Sequence, residues 1–130
     1  MDHLGRVIAV ETGMSQRQAR YMEAIESLKA AREDEFVSSD WRAFFWVVTT
    51  TRELWELVEP CIVWNKSLVN CEDQLYRMAY EEQLTVRAAQ SMLEGWAFQV
   101  SLAAIAELPE PYFGAVIESL HILHDKEDCT

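Results

Sequence analysis

Apolar residues recur at helical spacing in the first quarter of the chain. The apolar positions of the stretch 15–34 are Met22, Ile25 and Leu28, with charged residues on the opposite face. Ser15 and Gln18 stand three residues apart ahead of them, which is the pattern of a capping box at a helix start. Gly13 can adopt the left-handed conformation that ends helices. The pattern predicts a short helix over residues 4–12, a stop at Gly13 and a helix that begins at Ser15.

A second helical pattern follows the polar link Val37-Ser38-Ser39-Asp40, which supplies an N-cap. Its apolar positions are Trp41, Phe44, Phe45, Val48, Trp55 and Val58. The segment Phe44–Thr51 is rich in aromatic and β-branched residues, so strand is the alternative by propensity. The segment Cys61–Trp64 is the one candidate partner for such a strand, and a two-stranded sheet is marginal in isolation. The pattern therefore favours helix from Trp41 to the region of Pro60.

Helical spacing also marks the second half of the chain, from Cys61 to Ala104, with breaks expected near Asn65–Asn70 and near Gly95. Pro109 and Pro111 end this region, and a last helix is expected to begin at Pro111. The residues that this helix should bury are Phe113, Val116, Ile117 and Leu120. With only four glycines and three prolines, the chain has few turns. The sequence predicts an all-α fold, a single helical domain over residues 1–130 with about five to seven helices joined by short connections.

Composition places the chain among folded proteins of a reducing compartment. Hydrophobic residues make up 50% and charged residues 25% of its 130 residues. The longest uncharged run, Gly95 to Ala106, has twelve residues, fewer than the roughly 18–20 that span a bilayer, and no secretory signal is recognised. The three cysteines, Cys61, Cys71 and Cys129, match no zinc spacing. We expect a cytoplasmic protein with no membrane partner.

The net charge of −11 is unevenly distributed. Residues 1–32 contain five basic and four acidic side chains, whereas the other 98 residues contain six basic and 18 acidic ones. An acidic body repels nucleic acids and anionic membranes. Direct binding of nucleic acid is therefore disfavoured, and any polyanion contact would have to come from the N-terminal quarter.

Candidate catalytic and metal-binding motifs are incomplete. Glu118, His121 and His124 form Glu-x-x-His-x-x-His, but the carboxylate-bridged metal sites of helical bundles need a second Glu-x-x-His. The chain has no glycine-rich phosphate loop and no nucleophile elbow. His121 is expected to be half-buried and His124 exposed at a helix end, where a cation favours the helix dipole. We expect neither catalysis nor a cofactor nor a metal.

The segment Ala9–Ala19 is similar in pattern to the centre of a helix-turn-helix DNA reader. A small residue, a turn glycine and a serine that opens a helix stand in the corresponding order. In that reading, residues 9–20 would present Arg17 and Arg20 to DNA. The same pattern is also typical of an ordinary tight connection between two helices, and only eight residues precede Ala9.

Two further features suggest a protein-binding surface. Trp46 lies off the apolar stripe of its helix, which is typical of an interface anchor, although packing on another helix explains it equally well. Acidic residues also recur at helical spacing, with carboxylates close enough to imitate a nucleic-acid backbone or simply to be solvated. These residues are Glu53, Glu56, Glu59, the pair Glu72-Asp73 and the pair Glu81-Glu82.

The sequence thus favours a non-enzymatic acidic module that docks on a basic site of a larger protein or complex. Inhibitors and antidotes are often small, acidic and helical, and phage anti-defence proteins, CRISPR inhibitors and immunity proteins are examples. This is an analogy of style and not a family resemblance. The alternatives are a DNA-binding transcription regulator that uses Arg17 and Arg20, and a structural subunit that self-associates, for example as a homodimer.

Overall fold

The computed structural model describes residues 13–94 and 100–125, with side chains from residue 16 onward. This part of the chain contains seven α-helices. They are α1 (Gly13–Arg32), α2 (Ser39–Val48), α3 (Arg52–Val58), α4 (Glu72–Leu75), α5 (Tyr80–Glu94), α6 (Leu102–Ala106) and α7 (Tyr112–His124). A small antiparallel hairpin pairs β1 (Ile62–Val63) with β2 (Leu68–Val69). Two 3-10 helices, Glu59–Cys61 and Trp64–Lys66, flank β1. The predicted all-α class is confirmed.

Helix α2 is the centre of the fold, and its main contacts are with α5 and α7. Ser38 caps its N-terminus by accepting a hydrogen bond from the Trp41 backbone at 3.4 Å. The side chains of α2 are buried on nearly every face: Ser39, Trp41, Ala43, Phe44, Phe45, Val47 and Val48. A helix that is apolar all round is a core helix. The choice of helix over strand for residues 44–48 is confirmed.

Helix α1 differs from its predicted start. Gly13 and Ser15 both lie inside the helix, so Gly13 is not a stop and Ser15 is not an N-cap. The helix ends close to the predicted place, at Arg32, and Glu33 takes a left-handed φ of 53°. The backbone N–H of Asp34 then bonds to the Lys29 carbonyl, which satisfies an end carbonyl in the usual way.

The predicted helix from Trp41 to Val58 is interrupted by three threonines. The hydroxyl of Thr49 donates to the Phe45 carbonyl at 2.6 Å, and that of Thr50 donates to the Trp46 carbonyl at 3.2 Å. Thr51 then caps α3 by accepting from the Leu54 backbone at 3.0 Å. Hydroxyl side chains that bond to nearby backbone groups favour helix ends. The apolar stripe continues through the break because both helices pack on one core.

Residues 61–70 do not form the predicted helix. The stripe through Cys61, Trp64, Leu68 and Cys71 passes instead through 3-10 turns and the β1–β2 hairpin, although the break expected near 65–70 is present. Ser67 turns the chain with a φ of 52°. Trp64 stacks on Phe45 at a centroid distance of 5.8 Å. Tertiary packing of the tryptophan therefore overrides the helical spacing at this point.

The last helix buries the predicted Val116 but not the predicted Ile117 and Leu120. Ala115, Val116 and Ser119 are buried, whereas Ile117 and Leu120 remain 37% and 48% exposed. Pro111 occupies the N-cap position of α7, and Phe113 is half-buried. The predicted helix over residues 4–12 and the predicted break at Gly95 lie outside the described residues.

Candidate functional site

Carboxylates of two helices, α3 and α5, lie near the phenol of Tyr112 on a third helix, α7. Tyr112 opens α7 and is half-buried, with Thr51 nearby. Burial raises the pKa of this phenol, and the negative charges of Glu82, Glu81 and Glu53 raise it further. We call Glu53, Glu81, Glu82 and Tyr112 the Tyr112 acidic face. It joins Glu53 of α3 to the first turn of α5, two regions that the sequence had marked separately as acidic.

The other two carboxylates of the acidic row, Glu56 and Glu59, are exposed to solvent. Glu56 pairs with Arg52 at 3.2 Å, and both side chains are largely exposed. Glu59 follows in the 3-10 helix with helical backbone angles and is exposed. The positive charge of Arg20 lies close enough to Glu53 for the two to interact. Glu53 therefore stands at the boundary between the acidic face and the basic residues Arg20 and Arg52.

The pair Glu72-Asp73 belongs to a different part of the surface. Both residues are exposed in the first turn of α4. Neither is among the carboxylates that raise the pKa of Tyr112. The two carboxylates border the space between α4 and α5. The structure thus divides the predicted acidic residues into two groups.

Arg17 and Arg20 point inward, to the C-terminal end of α2. Arg17 donates to the Trp46 carbonyl at 3.0 Å, and Arg20 donates to the Thr49 and Thr50 carbonyls at 3.0 and 3.2 Å. Burial is the main cause that lowers the pKa of both guanidinium groups. The two arginines complete the hydrogen bonds of a helix end whose carbonyls have no partner within the helix.

Trp46 is enclosed by residues from α1 and α7. The guanidinium of Arg17 lies 3.8 Å above the centre of its ring, and Tyr21 meets the ring edge-on at 5.2 Å. The indole N–H donates to Glu118 at 2.9 Å. Glu118 also lies 3.6 Å from Arg17. The off-stripe tryptophan therefore contacts two other helices of the same chain, and part of its surface stays accessible.

The histidines of α7 are not arranged as a metal site. His121 is exposed, as is His124, so the expected half-burial of His121 is wrong; α7 turns Ala115 and Ser119 inward instead. Glu118 is engaged with Trp46 and Arg17. Within residues 13–94 and 100–125 no three side chains of His, Cys, Asp or Glu gather closely enough to hold a metal ion.

Two buried thiols lie side by side at the base of the hairpin. Cys61 and Cys71 are 5% and 1% exposed, and each thiol influences the pKa of the other. The Cys61 thiol also contacts the Leu57 carbonyl at 3.6 Å. Burial raises the pKa of both thiols. Both therefore stay protonated at neutral pH, as buried structural cysteines do.

Sequence reasoning located the carboxylates of the acidic face but not its centre. No periodicity connects Tyr112 to Glu53, because the contact depends on how α7 crosses α3 and α5. In comparisons with known proteins, no family model, curated protein or solved structure matches this chain. The helices of the described segments include none with the length and apolar character needed to cross a membrane.

Proposed function

We propose that this protein is an acidic binding module that docks the Tyr112 acidic face on a basic site of a larger protein. The observation that carries the proposal is that carboxylates from α3 and α5 lie near enough to Tyr112 to raise the pKa of its phenol together. A tyrosine with a polar rim is a common interface anchor. Complementary charge would steer the encounter and fix the orientation of the complex.

Ion pairing supports the same proposal. The described ion pairs are Arg17–Glu118, Lys29–Glu26, Lys29–Glu35 and Arg52–Glu56. Within that part of the chain Glu53, Glu81 and Glu82 form no ion pair within 4.0 Å. Arg20 acts on Glu53 from a greater distance, and Glu82 accepts a hydrogen bond from the Ala79 backbone at 2.9 Å, but no close cation neutralises the face within the described residues. We propose that an external cationic group does so.

The finer proposal is an inhibitor or antidote role. A row of carboxylates can occupy a basic site that otherwise binds a nucleic-acid backbone or another anionic substrate. Phage anti-defence proteins, CRISPR inhibitors and immunity proteins provide the analogy. The partner in this proposal is an enzyme or complex whose basic site is blocked while the module is bound.

The test is quantitative affinity capture from extracts of the cells that produce the protein. The bait is compared with a Glu53→Gln/Glu81→Gln/Glu82→Gln variant, and the matched control is Glu23→Gln/Glu26→Gln/Glu35→Gln on and near α1. We expect a partner that the control retains and that the acidic-face variant loses about tenfold or more, equivalent to about 1.4 kcal/mol.

The partner identified in this way is then titrated in about 50 mM and about 300 mM salt. Affinity should fall with salt, because ions screen charges separated by more than a Debye length of roughly 10 Å at 0.1 M. Equal capture by the two variants, or an affinity that salt leaves unchanged, would overturn the docking proposal.

The DNA-binding alternative has less support. Both guanidinium groups that would reach DNA donate to backbone carbonyls of the α2 end. An Arg17→Ala/Arg20→Ala variant would therefore lose fold stability as well as any DNA contact, so a loss of binding in that variant carries no information on its own.

Self-association has one specific observation in its favour. Leu102 is 84% and Leu120 48% exposed, and both border an apolar recess between α5, α6 and α7. Exposed apolar surface of this kind marks interaction sites in many proteins. A dimeric mass in light scattering would favour the assembly role, and a monomeric mass would favour docking to a different protein.

A further inference from the structure

A second recess lies between the hairpin and helix α5, away from Tyr112. It has a volume of about 230 Å³. Its apolar wall is formed by Leu68 and Val69 of β2 and by Leu75 at the end of α4. The other lining residues are Asn70, Cys71, Glu72, Gln90 and Glu94. The recess therefore combines an apolar wall with polar side chains from α4, α5 and the end of the hairpin.

Gln90 is the unusual member of this lining. It is 97% buried, with a relative exposure of 3%. Its amide has no hydrogen-bond partner among the described residues. In that same part of the chain, Arg17 Nε is the only fully sealed side-chain polar atom that lacks a partner. Because Gln90 lines the recess, we infer that its amide is accessible from there.

Most other buried polar side chains of the described helices have partners, and Ser39 is the one exception among them. Thr49, Thr85 and Ser119 each donate to a carbonyl of their own helix at 2.6 Å. Buried polar groups are hydrogen-bonded in the great majority of cases, and each exception calls for an explanation. A buried amide that lacks an intramolecular partner can be accounted for if a group from another molecule supplies the missing hydrogen bond.

Carboxylates supply the charge at the rim of the recess. Glu94 lies four residues after Gln90 on the same side of α5, and its side chain is exposed. Glu72 is also exposed, and its backbone N–H bonds to the Asn70 side chain at 3.3 Å, which fixes the start of α4. The Gln90 amide offers an acceptor oxygen beside its NH2 donor, and the carboxylates of Glu72 and Glu94 are acceptors that carry negative charge. A ligand that donates hydrogen bonds and carries positive charge suits these three sets of oxygens.

We propose that this recess receives an arginine side chain of the basic partner protein. The alkyl stem lies against Leu68, Val69 and Leu75, and the guanidinium donates to the Gln90 side-chain oxygen and to the carboxylates of Glu72 and Glu94. The proposal rests on the acidic docking function and names one anchor residue of the partner. It also gives a role to Glu72, which lies outside the Tyr112 acidic face.

Size and chemistry both favour an arginine side chain. Pockets for drug-sized ligands and cofactors have volumes of roughly 300–1,000 Å³, and this recess is smaller. Arginine offers several donors in one plane and is less strongly hydrated than lysine, so it enters a partly apolar site at lower cost. Lysine is a compact ammonium and would satisfy fewer of the three acceptors at once.

Titration of the ¹⁵N-labelled full chain with Nα-acetyl-arginine methylamide tests this proposal. The probe is raised to about 50 mM, which detects a Kd in the millimolar range. The readout is the shift of the Gln90 side-chain NH2 resonances. Parallel titrations use the corresponding lysine and citrulline derivatives, since citrulline keeps the shape of arginine without its charge. Free arginine serves as a further arm, because its carboxylate should be repelled by Glu72 and Glu94.

We expect saturable shifts with the blocked arginine, and an affinity at least about fivefold lower for the other three probes. Gln90→Leu and Glu72→Gln/Glu94→Gln should each weaken binding of the blocked arginine by about fivefold or more. The double variant changes exposed residues only, so it stays informative if Gln90→Leu does not fold. Glu23→Gln/Glu26→Gln is the matched control and should bind as the unaltered protein does.

Three results would overturn the assignment: no shift at Gln90, equal affinity for the citrulline derivative, or undiminished binding by the Glu72→Gln/Glu94→Gln variant. The probe needs no partner protein, so this test is separate from the capture experiment. If blocked arginine fails to bind while partner capture still depends on the Tyr112 acidic face, the arginine pocket is wrong and the docking function stands. If blocked arginine binds but partner capture does not depend on the Tyr112 acidic face, the arginine pocket stands and docking through that face is wrong.

Discussion

Arg17 shows how one side chain can hold three helices together. It starts from α1, covers the ring of Trp46 on α2 and lies beside Glu118 on α7. A guanidinium suits this position because its planar face stacks on an aromatic ring while its edge donates hydrogen bonds. Its side chain is 18% exposed, so these contacts are partly shielded from solvent.

We expect Arg17→Met to reduce the free energy of unfolding by about 2–3 kcal/mol, because it leaves the Trp46 carbonyl without its charged donor. The control is Arg77→Met, which changes an exposed arginine and should alter stability by less than about 0.5 kcal/mol. Urea unfolding followed by far-ultraviolet circular dichroism measures both. Similar losses for the two variants would show that Arg17 does not act as the structure indicates.

Trp46 illustrates what a single sequence leaves open at this scale. Its position off the apolar stripe was visible, and both an interface and packing on a neighbouring helix remained possible. The choice depends on the positions of Tyr21 and Glu118, which are far from Trp46 along the chain. Glu53 was marked as a candidate by its spacing, whereas Tyr112 carried no signal, because tyrosines at helix starts are common in cores and on surfaces alike.

Among the elements, the hairpin depends most on its surroundings. Its strands have two residues each, too short for independent stability. Beside it lie the buried thiols of Cys61 and Cys71, and the Asn70 backbone donates to the Cys61 carbonyl at 3.0 Å. This backbone bond closes the hairpin at the end where the two buried thiols lie.

The buried thiol of Cys71 predicts a loss of stability in alkaline solution. The pKa of Cys71 is raised in the folded state, mainly by burial, so the folded protein keeps a proton that the unfolded chain releases above about pH 8.5. Below about pH 8 the thiol is protonated in both the folded and the unfolded state, so it should not make the free energy of unfolding depend on pH. Above that pH, stability should fall by up to about 1.4 kcal/mol per pH unit for each such thiol.

Urea unfolding between about pH 7 and 10.5 under reducing conditions measures this slope. Cys71→Ala should unfold with a shallower pH dependence, whatever its stability at neutral pH. Tyr112→Phe is the comparison, since the raised pKa of that phenol affects the slope only above about pH 10. A slope unchanged in Cys71→Ala would argue against an uncharged thiol at this position.

The long helices were predictable, and the irregular segments were not. Periodic apolar spacing located α2 and α5, because the positions that repeat along each helix are the ones its neighbours bury. At Thr49–Thr51 and at Ile62–Val69 the same spacing continues, but side-chain hydroxyls and the packing of Trp64 decide the backbone. Such competition involves energies of about 1 kcal/mol, which pattern alone does not resolve.

At the scale of the whole molecule, the net charge of −11 opposes compactness. Like charges repel across the Tyr112 acidic face, where Glu53, Glu81 and Glu82 act on the same phenol. Part of that repulsion is offset by Arg20 near Glu53. A face of like charges costs stability in the isolated protein, and the basic partner that we propose would restore it by covering the face.

Salt should therefore stabilise the unbound protein. Between about 20 mM and 500 mM sodium chloride we expect the free energy of unfolding to rise by about 1 kcal/mol, because screening weakens the repulsion. Glu81→Gln/Glu82→Gln should show a clearly smaller rise. Glu56→Gln is the control: it removes a partner of Arg52 and should keep the full salt response. Unfolding that is insensitive to salt would mean that the acidic face is not strained by its own charge.

Helix α2 has a consequence for how the chain is made. It is almost entirely apolar, and the helices that cover it, α5 and α7, come much later in the sequence. During translation α2 therefore leaves the ribosome before its neighbours exist, and the core cannot close until the helix that begins at Tyr112 has been synthesised. Folding that depends on such distant contacts is slow and exposes apolar surface meanwhile. In the cell, the segment Trp41–Val48 is the part of the nascent chain that a chaperone would have most reason to hold.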